Sequence, residues 1–276
     1  MSIDMSIDMS IDMDVLPKVL FAVPTYKRLD ECWELVQQVF TVTRAANYEL
    51  HVLVVDNSGG KFTELKNTKT AEQVDQFFVH ADNRAKFKVW TNNENIGVAR
   101  SFNAALYYAY AFHFDYVIVS NDDLTLQEDT LDLLVQAAID NPEEMLFCTQ
   151  GATLNAFSLF LIRPDEIITN IGYFEVAYFS YLEDNDFAYR LKLIGKDLYR
   201  VPGCEIASHI VSGTIQQFTP EEANAFHEYR ANGTMQYIRK WGGGPHEERY
   251  ATPYNAGIDS LTWHAVIFSK FYPFSL

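Results

Sequence analysis

"ELHVLVVDNSGG", Glu49 to Gly60, is the stretch whose reading decides the fold. An apolar, β-branched run stops at Asp56 and passes into a Ser-Gly-Gly turn. A short run bounded in this way reads as a strand buried on both faces. Upstream, "KVLFAVPTY" (Lys18–Tyr26) is a second such run, stopped by Pro24, and Asp30 can cap a helix reaching about Arg44. Downstream, "FKVWTNNENIG" (Phe87–Gly97) is a strand leading into an Asn-rich loop, and "VARSFNAALYYAYAFH" (Val98–His113) reads as a helix. "DYVIVSNDDL" (Asp115–Leu124) is a β-rich run ending in carboxylates, "EDTLDLLVQAAID" (Glu128–Asp140) an amphipathic helix, and "EMLFCTQ" opens another strand. Strands alternating with helices predict an α/β fold, a mainly parallel central sheet flanked by helices.

The bulk numbers agree with a folded enzyme-sized chain. It has 276 residues, 48% hydrophobic and 14% aromatic, enough for a large core. Basic residues number 21 against 37 acidic, a net charge of -16. Such a surface repels nucleic acid and anionic lipid unless its positive charge is gathered in one groove. Cys32, Cys148 and Cys204 show no metal or redox spacing, so buried thiols in a reducing compartment are expected. The start of the chain lacks the basic and apolar regions of a signal peptide, and no run approaches the roughly 20 apolar residues of a membrane span. A cytoplasmic protein, soluble or peripheral to a membrane, is the expectation. "MSIDMSIDMSIDMD" repeats one tetrapeptide three times and reads as a tail outside the fold.

The polar residues at the expected C-terminal strand ends are Thr25, Asp56, Asn93 and Asp122. In open α/β sheets ligands bind in the crevice there. No GxGxxG follows the first strand and no GxxxxGK[ST] occurs, which speaks against a dinucleotide or P-loop site. A nucleotidyltransferase would want a Gly-rich basic loop where "PTYKR" stands.

"VPTYKR", "VVDNSG", "NNENIGVARSFNAAL", "VSNDDL", "YLEDNDFAYRLKLIGKDLYRVP" and "SHIVSGT" follow one another in the order seen in family 2 glycosyltransferases of the GT-A fold. The chain resembles that family from about Lys18 to Thr214, and "YIRKWGGGP" (Tyr237–Pro245) is similar to the Lys-Trp-Gly-Gly tail of some soluble members. The resemblance implies residues 15–215 as catalytic domain (15–124 nucleotide-sugar half, 125–215 acceptor half), residues 1–14 as tail, and 216–276 as a helical extension packed on the core. It implies a nucleotide-diphosphate sugar donor, UDP-linked by preference, a divalent ion, and inversion at the anomeric carbon. Its acceptor would be a glycan, a lipid-linked glycan or another hydroxyl. A modified base in viral DNA is the alternative that the acidic charge disfavours. A non-catalytic nucleotide-sugar binder would have no use for the base position.

Carried over residue by residue, Asp122 matches the last carboxylate of an Asp-x-Asp signature whose first position is Ser120, with Asp123 able to substitute. His209 matches the metal-binding His. An Asp-lined pocket needs a cation to admit a diphosphate, and hard oxygen ligands suit Mg²⁺ or Mn²⁺, with an imidazole favouring Mn²⁺. Asp56 would accept hydrogen bonds from the base. Pro24, Thr25, Tyr26 and Arg28 would border the nucleoside, although Arg28 also reads as a solvated charge at a helix start. Asn95, Gly97, Arg100 and Asn103 match a stretch beside base and ribose, where Gly97 and Val98 open a helix able to offer N–H groups to an anion, and Asn121 adjoins Asp122. Asn103 also reads as a tie for a neighbouring loop.

"YLEDNDFAYRLKLIG" (Tyr181–Gly195) crowds Glu183, Asp184 and Asp186 into a helix start. Carboxylates favour that place on electrostatic grounds alone. The resemblance makes Asp184 the catalytic base, and leaves Asp186 to capping or loop support. "GYFEVAYF" (Gly172–Phe179) would shape the acceptor side. Residues 220–241 read as a helix kinked near Gly233. Lys240, His246 and Arg249 read as a local basic cluster, either a solvated surface patch or one able to close over the donor phosphates. Trp263–Leu276 is aromatic enough to dock on the core, pair with a second copy or touch a membrane surface, with core docking the first expectation because it carries little basic charge.

Overall fold

A computed structural model describes residues 16–42, 47–72, 86–150, 156–210 and 213–263. The repetitive tail and nearly all of the aromatic C-terminus therefore lie outside the described residues. Nine strands are described: β1 Lys18–Thr25, β2 Glu49–Asp56, β3 Phe87–Thr91, β4 Tyr116–Ser120, β5 Leu124–Leu126, β6 Leu146–Thr149, β7 Leu159–Ile162, β8 Tyr199–Val201 and β9 Ile206–His209. The helices are α1 Leu29–Val42, α2 Lys61–Glu72, α3 Val98–Ala111, α4 Thr130–Asp140, α5 Pro164–Asn170, α6 Glu183–Leu193 and α7 Pro220–Trp241.

Seven strands form the central sheet in the order β3-β2-β1-β4-β7-β6-β8. β1 runs parallel to both β2 and β4, while β7 is antiparallel to β4 and β6. The fold is thus the mixed α/β architecture expected, with an antiparallel insertion. β1 shows why both faces are covered. Val19, Phe21 and Val23 pack with Leu35, Val36 and Val39 of α1 and with Leu134 of α4. Leu20 and Ala22 point the other way and pack with Phe102 and Leu106 of α3 and with Phe187 of α6. Alternation along a strand delivers successive side chains to opposite layers.

The chain leaves β1 toward β2 and β3 on one side, then returns to place β4 on the other. That reversal opens a crevice at the C-terminal ends of β1 and β4, where α/β sheets hold ligands. A separate two-stranded ribbon, β5 with β9, lies beside it and pairs Leu124 with His209.

α7 departs from expectation. It is one 22-residue helix with no break at Gly233. Thr219 and Glu222 form a capping box, Pro220 takes the first turn, and Gly242 ends the helix in the left-handed region at φ 76°. Gly233 is a buried position within it, and a Cβ there would meet Tyr178 and Leu182 only at ordinary contact distances of 3.6 and 3.9 Å. Among the described residues no helix is long and apolar enough to cross a membrane.

Candidate active site

A cavity of about 270 Å³ sits at the crevice. The β1 end contributes Pro24, Thr25 and Tyr26, and the β4 end contributes Asn121, Asp122 and Asp123. Thr25 Oγ1 donates to Asp122 Oδ2 at 2.8 Å, tying the two strand ends across the reversal point. Burial, followed by the charge of Asp123, pushes the Asp122 carboxyl up to about 7 despite that hydrogen bond.

His209 reaches the same cavity through the β5–β9 ribbon. The pairing of Leu124 with His209, and a hydrogen bond from Ile210 N to Asp123 O at 3.0 Å, hold it beside the strand end. Its Nε2 lies 3.2 Å from Asp123 Oδ1, and its Nδ1 is buried without a hydrogen-bond partner. Asp123, read only as a substitute, is therefore the carboxylate that meets the imidazole. Ser120 is fully buried, gives its hydroxyl to Asn121 O at 2.8 Å, and does not line the cavity.

The donor set fits a hard or borderline divalent cation: two carboxylates and an imidazole with an unused nitrogen share one wall. No group of three or more His, Cys, Asp or Glu among the described residues is arranged to hold such an ion unaided. An ion placed there would draw further oxygens from the ligand it accompanies.

Asn95 and Gly97 line the cavity as expected, but not as an anion site. Gly97 N donates to Asn95 Oδ1 at 3.0 Å and Val98 N to Phe179 O at 2.8 Å, so these N–H groups of α3 are already used. Gly97 has φ 82°, and a Cβ there would stand 2.5 Å from Phe179 O, so only glycine lets the two segments meet. Asn57 and Ser101, missed in the sequence, also reach the cavity and are joined by a 2.8 Å hydrogen bond.

Arg28, Asp56, Arg100 and Asp184 do not line the cavity. Arg28 is not a solvated charge. It is buried, pairs with Glu31 at 2.9 Å, and packs against Gly213. Asp56 is wholly buried at the β2 end. Its Oδ1 accepts from Ser58 N and Oγ, and its Oδ2 has no hydrogen-bond partner. Asn103 is the loop tie: it donates to Phe174 O and accepts from Phe174 N, both at 2.8 Å.

Glu183 lines the same cavity. It is only 6% exposed with Oε2 unpartnered, and burial followed by the charge of Asp184 raises its carboxyl well above the usual range. Asp184, next along α6, is half-buried and accepts from Asn185 N at 2.8 Å. The two residues before them, Tyr181 and Leu182, hold φ of 68° and 73°, conformations that β-carbon sterics disfavour. Held so, they turn the chain sharply from the cavity edge into the helix.

Asp186 does not cap α6. The N-cap position is Leu182, with no side-chain cap. Asp186 is fully buried and accepts from Arg190 Nε at 2.9 Å, Lys240 Nζ at 2.6 Å and Trp241 Nε1 at 2.8 Å. Burial alone would raise its carboxyl, but Lys240 and Arg190 reverse the effect and hold it below the usual range. Lys240 is accordingly no lid for phosphates. It is fully buried and also donates to Glu175 at 3.1 Å.

Two cavity aromatics come from beyond the expected catalytic stretch. Phe218 and Phe226 line the opening, with ring centroids 5.6 Å apart, and Tyr181 meets Phe226 edge-on at 5.7 Å. Phe179 stacks on Tyr229 at 4.8 Å.

Crevice, strand-end carboxylates and sheet order together define a GT-A type glycosyltransferase. Residues 21–156, close to half of the chain, match the family model described as glycosyl transferase family 2. No curated protein matches it in sequence. Solved structures of similar fold include a mannosyltransferase, PcManGT, from Pyrobaculum calidifontis in complex with GDP-Man and Mn²⁺. It has TM-score 0.54 and 16% identity, over 95% of this chain and 84% of that one. S. aureus TarS residues 1–349 in complex with UDP-GlcNAc gives TM-score 0.53 and 16% identity, over 92% of this chain and 73% of that one.

Proposed function

We propose that the protein is an inverting, metal-dependent glycosyltransferase that moves a sugar from a nucleotide-diphosphate donor to a hydroxyl of a glycan or lipid-linked glycan, with a UDP-sugar as the preferred donor. The observation that carries this reading is that Asp122, Asp123, His209 and Glu183 all line one cavity at the ends of β1 and β4. The similar structures with GDP-Man and with UDP-GlcNAc support a nucleotide-sugar donor of either base.

In this reading the nucleoside enters beside Pro24, Thr25, Tyr26 and Asn95, with Asp56 and Arg28 supporting from behind and Arg100 and Asn121 at the edges. The unpaired Oδ2 of Asp56 is an acceptor awaiting an N–H, as a nucleobase offers. Asp122, Asp123 and His209 would hold Mn²⁺ or Mg²⁺, and such an ion would neutralise the diphosphate charge that these carboxylates otherwise repel. Glu183, buried against the cavity, directs a hydrogen bond at the reacting sugar. Asp184, partly open at the same helix start, is within reach of an acceptor arriving from solvent. It takes the proton of the attacking hydroxyl as the anomeric bond to the diphosphate breaks. Attack from the side opposite the leaving group inverts the anomeric carbon.

Calorimetry of UDP binding tests the reading. Affinity should rise at least about tenfold with Mn²⁺ over chelator, and Asp122→Ala should abolish that gain, the scale expected when a charge-assisted contact is lost. Equal affinity in chelator and Mn²⁺ would overturn the metal-dependent site.

A further inference from the structure

The Lys-Trp-Gly-Gly segment, Lys240–Gly243, takes no part in the chemistry above, yet the structure uses each of its residues. Lys240 and Trp241 both donate to Asp186 Oδ1. A Cβ on Gly242 would meet the Tyr250 ring at 2.8 Å, and one on Gly243 would meet Glu247 O at 1.9 Å. The returning chain docks there, with Arg249 N and Tyr250 N both donating to Trp241 O at 2.8 and 3.0 Å. The segment is a built joint.

What it joins matters. Lys240 bridges two carboxylates on different parts of the acceptor side: Asp186 on α6 and Glu175 in the loop before it. Glu175 Oε1 accepts from Ala177 N at 3.3 Å. Arg190, paired with Asp186, donates to Ile171 O at 2.7 Å and Tyr173 O at 3.0 Å. The loop backbone from 171 to 177 is thus held by a buried cluster of two cations and two anions. Its continuation, Phe179 to Glu183, is the cavity wall with the strained Tyr181–Leu182 turn. A strained turn persists only where its surroundings over-determine it.

We propose that Lys240 is a positioning residue for the transfer step: by bridging Glu175 and Asp186 it holds the Phe179–Asp184 turn, and with it Glu183 and Asp184, in working register against the donor cavity. The bridge ties the end of α7, outside the stretch matching the family model, to the start of α6. The role rests on the proposed transferase reading, but the geometry it asserts can be measured without activity.

Lys240→Met alone would leave an excess buried negative charge and unfold the joint. The double variant Lys240→Met with Glu175→Gln keeps the cluster neutral, with Arg190 still on Asp186, while removing the bridge. It should fold, bind UDP within about threefold of wild type, and hydrolyse UDP-sugar with kcat down by about 10- to 100-fold, the scale for a catalytic group displaced by about an ångström. Amides across residues 174–184 should exchange at least about tenfold faster, with those of β1 and β2 unchanged, as local loosening requires. Wild-type kcat in the folded double variant would overturn the proposal. If wild type hydrolyses no nucleotide sugar in the absence of its acceptor, the exchange data alone decide: unchanged protection at 174–184 then refutes the positioning role, and faster exchange confined there upholds it.

Discussion

Two regions of this molecule crowd acidic side chains, and they treat them in opposite ways. At the cavity Glu183 Oε2 and His209 Nδ1, and behind it Asp56 Oδ2, are buried without hydrogen-bond partners. Under α6, Asp186 draws three donors onto its two oxygens and Glu175 shares one of them. A buried polar atom left unpaired costs about 1–3 kcal/mol. A fold tolerates several such atoms together where a ligand will complete them. The saturated cluster has nothing left to offer a ligand, and its work is to hold two helices and a loop. The carboxylates of Glu183 and Asp56 thus keep an unpaired oxygen, whereas those of Asp186 and Glu175 are fully engaged.

Neighbouring carboxylates on α6 give the sharpest way to break this comparison. Asp184→Asn should lower transfer by about 10²–10⁴-fold, the usual loss of a general base, with melting temperature and UDP affinity little changed. Asp186→Asn should do the reverse. Removing one partner of a buried ion pair costs about 3–5 kcal/mol, so its first readout is the denaturant midpoint. Since the Asp186 carboxyl lies below its unfolded value, its contribution is present above about pH 4 and is lost as acid protonates it in the folded state. Should Glu183→Gln abolish transfer while Asp184→Asn spares it, the base is the cavity-lining carboxylate instead.

Much of the nucleotide half was legible. β1, β2 and β4 are unbroken apolar runs, and burial on both faces leaves no other place for them than the sheet centre. Their polar terminal residues then had to gather at one edge. The acceptor side was harder because its logic is long-range. Nothing in "EDND" itself distinguishes a helix cap from a hub two of whose three donors come more than fifty residues later. One signal was present: Phe226, Gly233, Tyr237, Lys240 and Trp241 are the buried residues of α7 and recur at helical spacing. A lysine within that stripe must be buried, and a buried lysine needs carboxylates. Reading it as part of a surface basic cluster overlooked the periodicity. The seat of Phe218 and Phe226 at the cavity had no such signal, since it depends on how α7 crosses the crevice.

Asp56 sharpens the comparison at intermediate scale. Its unpaired oxygen lies behind the cavity rather than on its wall, so its role in binding rests on a nucleobase reaching that depth. Asp56→Ala should weaken UDP by about 1–3 kcal/mol, the value of a hydrogen bond to a charged group, and leave the Mn²⁺ requirement intact. Calorimetry on the folded variant measures this directly, and an unchanged dissociation constant would move Asp56 from the binding wall to the supporting one.

Glu222 is a saturated carboxylate like Asp186, but at the surface, and its smallness is the prediction. It accepts from Lys27 Nζ at 2.6 Å, Tyr26 Oη at 2.9 Å and Thr219 N at 2.7 Å, fastening the start of α7 to the loop after β1. The Lys27 hydrogen bond, then the Thr219 N–H, hold its carboxyl down to about 2. Its side chain is 31% exposed, and solvent screens most of what those contacts would otherwise contribute. Glu222→Gln should therefore cost at most about 1 kcal/mol, or roughly 2–4 °C in melting temperature for a chain of this size. The folded value lies below the unfolded one near 4.3, so the difference between wild type and variant should be full at neutral pH, shrink as pH falls below about 4, and close near 2. Tyr26 lines the cavity, and release of its hydroxyl should change UDP affinity by less than about threefold, since the ring remains packed. A loss approaching that of Asp186→Asn would mean that this latch, exposed as it is, supports the cavity as firmly as the buried cluster, and that saturation rather than burial sets the strength of the supporting wall.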